Sequence, residues 1–172
     1  VRPPFRTAAD RDALRCGVAD GTIDAICSDH QPCESSDKLA PFPSARPGIS
    51  GTETLLPLTL RLVNAGVFTL PQAVAALTSR AAACFGIAGG NLRLNERADF
   101  CLFDPAMRYR LADDDSANAM ISIGRNSPFL GEELQGRVLF TMLAIAFCKI
   151  FSASANFAPS NNLPSACNIF KR

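Results

Sequence analysis

The sequence predicts an α/β fold: the C-terminal portion of a (β/α)8 barrel joined to part of a small β domain. Three observations carry this. Residues 22–28, Thr22-Ile23-Asp24-Ala25-Ile26-Cys27-Ser28, form a largely apolar run that suits a parallel strand covered on both faces. Helix signatures lie on either side of that strand, two of them after a long loop. Beyond Gly86 the pattern changes to short β segments separated by polar turns.

The elements follow in order. Thr7-Ala8-Ala9-Asp10 reads as a helix start, with Thr7 as N-cap and Asp10 in the electropositive first turn. That helix should turn Leu14 and Val18 inward and stop at Asp20-Gly21. Residues 31–51 are rich in Pro, Ser and Gly, and loops of that length inside a compact domain are usually functional. Residues 52–64 have helical composition, with Pro57 expected to bend the helix or delay its start, and Asn64-Ala65-Gly66 to close it. Thr69-Leu70-Pro71-Gln72 is a capping box, and Leu70, Val74, Leu77, Ala81 and Cys84 make one face of a single helix running to Gly86. Helix, strand, loop, helix, helix is how an α/β barrel ends.

After Gly86, residues 91–94, 98–104, 109–111 and 135–143 read as short strands. The chain thus divides into 1–86 (barrel strands and helices), 87–143 (small β portion) and 144–172 (a divergent tail). In the tail every acidic residue has disappeared, the last being Glu133, and Lys149, Lys171 and Arg172 are the remaining charges. It is expected to be poorly ordered or non-native in origin.

Composition narrows the function classes. With 48% hydrophobic and 19% charged residues, the 172-residue chain belongs with folded globular proteins. A net charge of +1 gives no reason to expect nucleic acid or an anionic membrane as partner. No apolar leader follows Val1, and the apolar run 138–151 is shorter than the ~20 residues of a membrane helix and carries Lys149. Seven cysteines, an odd number with no CxxC, fit a reducing cytoplasm.

Several segments together resemble dihydroorotase, of the amidohydrolase superfamily. They are Arg2-Pro3-Pro4-Phe5-Arg6 (the family's N-P-P-L-R), Asp20-Gly21-Thr22-Ile23-Asp24-Ala25-Ile26, Ser28-Asp29-His30-Gln31-Pro32, Pro41-Phe42, and Gly48 to Leu58. Ala98-Asp99, Phe103-Asp104-Pro105 and Gly136-Arg137-Val138 continue the series in the family's order. The resemblance spans Val1 to about Thr141. It implies a metal-dependent barrel with a small β domain, closing N-carbamoyl-aspartate to dihydroorotate in pyrimidine biosynthesis. A complete barrel takes ~250 residues, so this chain is expected to supply only the last strands and helices. The family's His-x-His pair, its bridging lysine or aspartate and two more histidines are expected upstream of Val1.

The resemblance makes Asp29 both a zinc ligand and the catalytic base that takes a proton from metal-bound water. Zinc lowers the pKa of that water to about 7, within reach of a nearby carboxylate. The alternative is an aspartate capping the turn after a buried strand. His30, the sole histidine, should point the other way in extended backbone and shape the loop. The substrate-binding positions implied are Arg2, Cys33, Pro47 and Gly48, and three of them are altered. Arg2 offers only donors where the family has asparagine, Cys33 offers a weak donor where it has histidine, and Pro47 lacks an N–H. Gly48 keeps close approach available. Cys27 and Cys33 match no zinc-knuckle spacing, Asp113-Asp114-Asp115 reads as a solvated run, and Gly86-Ile87-Ala88-Gly89-Gly90 follows a helix instead of opening one, unlike a phosphate loop.

Two functions follow. One is a dihydroorotase-like cyclic-amide hydrolase acting on a small-molecule substrate, inactive as this chain alone because one carboxylate and one imidazole cannot hold zinc. The other is a non-catalytic dihydroorotase-like subunit that supports aspartate carbamoyltransferase assembly or associates with further copies of itself.

Overall fold

In the computed structural model, residues 1–94, 97–112, 118–143 and 146–149 are described. The acidic run 113–115 and residues 150–172 of the tail lie outside them. Among the described residues, no helix is long and apolar enough to cross a membrane.

α1 (Ala8–Asp20) starts as its sequence asks. The Thr7 hydroxyl accepts from the Asp10 N–H at 3.2 Å, and the Asp10 carboxylate accepts from the Thr7 N–H at 2.9 Å. Gly21 ends the helix in the left-handed conformation. Its packed face is Gly17 and Val18, not Leu14, which is 61% exposed. The reason is the returning chain. Ile23 donates its N–H to the Gly17 carbonyl at 2.8 Å, so cover falls on the last turns of α1 only.

Residues 22–28 do not form the expected strand. Thr22 and Ile23 form a bend and 24–28 carry no regular structure, with Thr22, Asp24 and Cys27 exposed, and the nearest strand-type pairing is an isolated parallel bridge between His30 and Ile49. A ladder needs a neighbour strand at about 4.8 Å, and none of the described residues supplies one. The Ile26 N–H goes instead to the Ala76 carbonyl, 3.2 Å away.

α2 (Thr52–Asn64) takes its predicted bounds, and Pro57 sits buried inside it without delaying its start. The next stretch is two helices, α3 (Leu70–Leu77) and α4 (Ser79–Phe85), where one was expected. The break is at Thr78, with φ −132° and ψ −93°. Its hydroxyl donates back to the Val74 carbonyl at 2.6 Å, a local bond that competes with helix geometry. The break leaves the Ala76 carbonyl among the last of α3, free of a helical partner, and Ile26 takes it up. Ala73 and Ala76 are therefore the buried residues, Leu70, Val74, Leu77 and Ala81 are half-buried, and Cys84 is exposed. Val18, Phe68 and Ala73 share one core, flanked by Ile23, Ile26 and Val63. Full burial of side chains such as Val18 and Phe68 contributes about 1.5–3 kcal/mol each.

The β portion is an antiparallel sheet ordered β1 (Phe100–Arg110), β2 (Glu133–Leu143), β3 (Ala146–Lys149). β1 unites the two segments expected at 98–104 and 109–111. The joint is a register shift between Asp104 and Arg108, where the Asp104 carboxylate accepts the Ala106 and Met107 N–H groups. Such a turn absorbs Pro105, which has no N–H to give a ladder. Residues 91–94 make no strand, because the Asn91 side chain accepts the Arg93 N–H and Leu92 and Leu94 stay exposed. β3 shows that pairing continues past 143 into the stretch expected to be poorly ordered, with Thr141 opposite Cys148. A hairpin this local has little loop-closure entropy to overcome.

α2 packs on β2. Arg61 donates to the Glu132 carboxylate (2.8 Å) and the Glu133 carbonyl (2.9 Å), and Asn64 donates to Gln135 (3.2 Å). Between them the buried Leu60 lies over Gly136, where a Cβ would come within 2.1 Å of Leu60 Cδ1. Gly136 also holds φ 99°. Gly136→Ala is therefore expected to destabilise by about 1–3 kcal/mol, read as a lower midpoint in urea, with α1 protection lost only at the global transition.

The Thr7 hydroxyl and backbone bonds hold the Asp10 carboxyl below its ordinary pKa. A carboxyl depressed on folding stabilises above its unfolded pKa and stops doing so as pH falls through the lower folded value. Acid titration should thus fray the first turn of α1 only below the usual carboxylate range. Asp10→Asn should remove that step from the pH profile of the Arg11 amide, which donates to the Thr7 carbonyl.

Candidate functional site

Asp29 is the one non-glycine residue among those described with positive φ, at 43°. Aspartate tolerates this left-handed conformation better than most residues, though at a cost. The turn there sends two neighbouring side chains in different directions. The Asp29 carboxylate is exposed and accepts from Gln31 Nε2 at 2.8 Å. His30 turns inward, and its Nδ1 accepts the N–H groups of Gly51 (3.1 Å) and Thr52 (3.3 Å). Gly51 is the N-cap of α2 and has no side chain to do this, so the imidazole supplies the missing acceptor from 21 residues away. His30 shapes the loop, as the sequence suggested.

The loop after Asp29 is held by residues of distant sequence. Cys33 is buried, 6% exposed, and its N–H donates to Asn126 Oδ1 at 2.9 Å. Asn126 Nδ2 donates to the carbonyls of Gln31 (3.0 Å) and Gly48 (3.2 Å). Ser50 N–H reaches the Asn126 carbonyl at 3.4 Å. Lys38 Nζ donates to the carbonyls of Arg46 (2.6 Å) and Gly48 (2.7 Å). Gly48 has φ 105°, and a Cβ there would lie 2.5 Å from Gln31 Cβ and 3.1 Å from the Gln31 carbonyl oxygen. Its close approach is thus to Gln31. Pro47 beside it is half-buried.

Of the positions singled out in the sequence, Asp29, Cys33, Pro47 and Gly48 fall on this one loop system. Arg2 lies exposed before α1 and enters none of these hydrogen bonds. Sequence reasoning missed Asn126. The signal was the turn-forming run Asn126-Ser127-Pro128, which marks a loop but not its partner 93 residues away.

Among the described residues no group of three or more His, Cys, Asp or Glu side chains could hold a metal ion. His30 Nδ1 is committed to α2 and Cys33 is buried, which leaves the Asp29 carboxylate. One carboxylate does not fit a catalytic zinc, which takes three protein ligands and an open position.

A sequence model of the amidohydrolase family matches residues 3–144. The chain belongs to that family. It is 45% identical over 143 residues to a dihydroorotase-like protein of Pseudomonas putida, covering 83% of this chain and 32% of that protein. It is 42% identical to a dihydroorotase of Syntrophotalea carbinolica, covering 83% and 33%. Amidohydrolases of known structure share the fold. An L-hydantoinase (dihydropyrimidinase) from Arthrobacter aurescens superposes with a TM-score of 0.76 at 27% identity, over 90% of this chain and 35% of its own. Dihydropyrimidinase from Brevibacillus agri gives 0.73 at 25% identity, over 85% and 32%. The chain spans about a third of the length of the curated relatives it matches. Its fold is a portion of an amidohydrolase (β/α)8 barrel architecture, as the sequence predicted.

His30→Ala should cost about 1 kcal/mol, the usual worth of a lost helix N-cap acceptor. The measurement is amide exchange, with Gly51 and Thr52 the first groups to lose protection while α3 keeps its own.

Proposed function

We propose that the chain is the Asp29-bearing portion of a dihydroorotase-like cyclic-amide hydrolase that interconverts N-carbamoyl-aspartate and dihydroorotate in cytoplasmic pyrimidine biosynthesis. One observation carries the reading: the exposed Asp29 carboxylate on a left-handed turn, oriented by Gln31 at the mouth of the 31–51 loop. A carboxylate so held can accept a proton from an attacking water and return it to the departing ring nitrogen. Dihydroorotase-named relatives at 36–45% identity support the same class. Zinc belongs to this reading as the group that would activate that water, but the donors described here do not form its site.

The burial of Cys33 favours a second reading. At the position where a substrate histidine is implied, the thiol is packed away and the residue serves the loop through its main chain. That suits a non-catalytic dihydroorotase-like subunit holding aspartate carbamoyltransferase together. Stoichiometric zinc in the intact protein counts against this second role, and co-purification with the carbamoyltransferase supports it.

The purified 172-residue chain, supplied with Zn²⁺, is expected to leave dihydroorotate intact when ring opening is followed by ultraviolet absorbance. Turnover by this chain alone would overturn the donor count. In an intact, active protein Asp29→Asn should lower kcat by about 10²–10⁴-fold, the usual worth of a positioned base.

A further inference from the structure

We propose that Asn126 is a positioning residue: a carboxamide clasp that sets the 31–50 loop and, through Gln31, the direction of the Asp29 carboxylate. The proposal rests on reading Asp29 as the site carboxylate. Its chemistry is specific. The side chain meets one N–H, from Cys33, and two carbonyls, of Gln31 and Gly48. A carboxamide has one acceptor oxygen and two N–H donors, so all three partners are satisfied at once. Aspartate keeps the acceptor and loses both donors, and alanine loses everything. The Asn126 main chain adds a fourth link, accepting from Ser50.

The path to Asp29 is short. Asn126 holds the Gln31 carbonyl at 3.0 Å, the Gln31 N–H donates to the Ile49 carbonyl at 2.9 Å, and Gln31 Nε2 donates to Asp29 Oδ2 at 2.8 Å. Both main-chain groups of Gln31 are thus held, which fixes the base from which its side chain reaches across the turn to Asp29. The segment carrying Asn126 is itself pressed onto the loop. A Cβ on Gly124 would lie 2.5 Å from Pro32 Cβ and 2.7 Å from the Cys33 nitrogen. Ser122 N–H donates to the Glu53 carboxylate at 2.7 Å, and the Ser122 hydroxyl meets that of Ser50 at 3.0 Å. The clasp therefore stands on a seated strut, so that a residue beyond the helices governs the geometry beside Asp29.

The test is nuclear magnetic resonance on the full chain, comparing Asn126→Ala and Asn126→Asp with the parent. Three signals are read: Cys33 amide exchange, the Gln31 side-chain NH₂ resonances, and Val18 amide protection in α1 as the control for folding. Asn126→Ala should speed Cys33 exchange by about tenfold or more and move the Gln31 NH₂ signals toward those of a free glutamine. Asn126→Asp should keep Cys33 protected, since its acceptor remains, yet move the Gln31 signals as far. Val18 should be unchanged in both. Gln31 signals that stay in place in either variant overturn the proposal, and so does loss of Val18 protection in both, which makes Asn126 a residue of general stability. None of these signals needs turnover, so failure of the intact protein to open dihydroorotate would refute the hydrolase reading and leave the clasp standing.

Discussion

The packing of α2 on β2 is the contact on which the rest of the molecule depends. Leu60 occupies the space that Gly136 leaves empty, and Arg61 and Asn64 reach polar groups of Glu132, Glu133 and Gln135 at the start of the same strand. That seat joins the β portion to the helical portion. With it, the segment that precedes β2 is delivered against the loop that follows Asp29. One apolar contact and its polar rim thus bring residues near 30 and near 126 together. The glycine is the enabling group, because a methyl at that place would collide with the Leu60 side chain and would also have to accept a positive φ.

The site is correspondingly built from main-chain groups more than from reactive side chains. His30 spends its ring nitrogen on the start of α2. Cys33 contributes its N–H and Gly48 its carbonyl, while Lys38 and Asn126 close on those groups from outside. Each bond of this type is worth only about 0.5–1.5 kcal/mol net, but leaving any of the buried partners unmet would cost more. Together these bonds fix one loop conformation. Beside it the Asp29 carboxylate stays exposed and directed by Gln31.

Local signals in the sequence were read well where the cause was local. Thr7 with Asp10 and Thr69 with Gln72 placed two helix starts, and 52–64 placed α2 despite its proline, because caps and periodicity act within a few residues. The same reading failed where a distant partner decides. Residues 22–28 have the composition of a buried strand, but a strand exists only beside another, and here the backbone pairs with α1 and α3 instead. Thr78 broke a helix whose apolar spacing was continuous, since its hydroxyl and the return of the chain at Gly90 against it leave no trace in periodicity. At the site, Asp29 stood out through the motif around it, whereas Asn126 is one of several asparagines until its three partners are seen.

The altered positions acquire a physical meaning from this arrangement. A histidine at position 33 would need room for an imidazole and a path to solvent, whereas Cys33 is buried, at 6% exposure. The segment around Gly124 lies directly on Pro32 and the main chain of Cys33, which in turn places Asn126. On the proposed reading, substrate recognition at position 33 and close seating of the β segment exclude each other, and the burial of Cys33 favours the second. Asp29 escapes that exchange because its left-handed turn carries it away from the packed side. The fold can in this way keep a directed carboxylate four residues from a buried thiol.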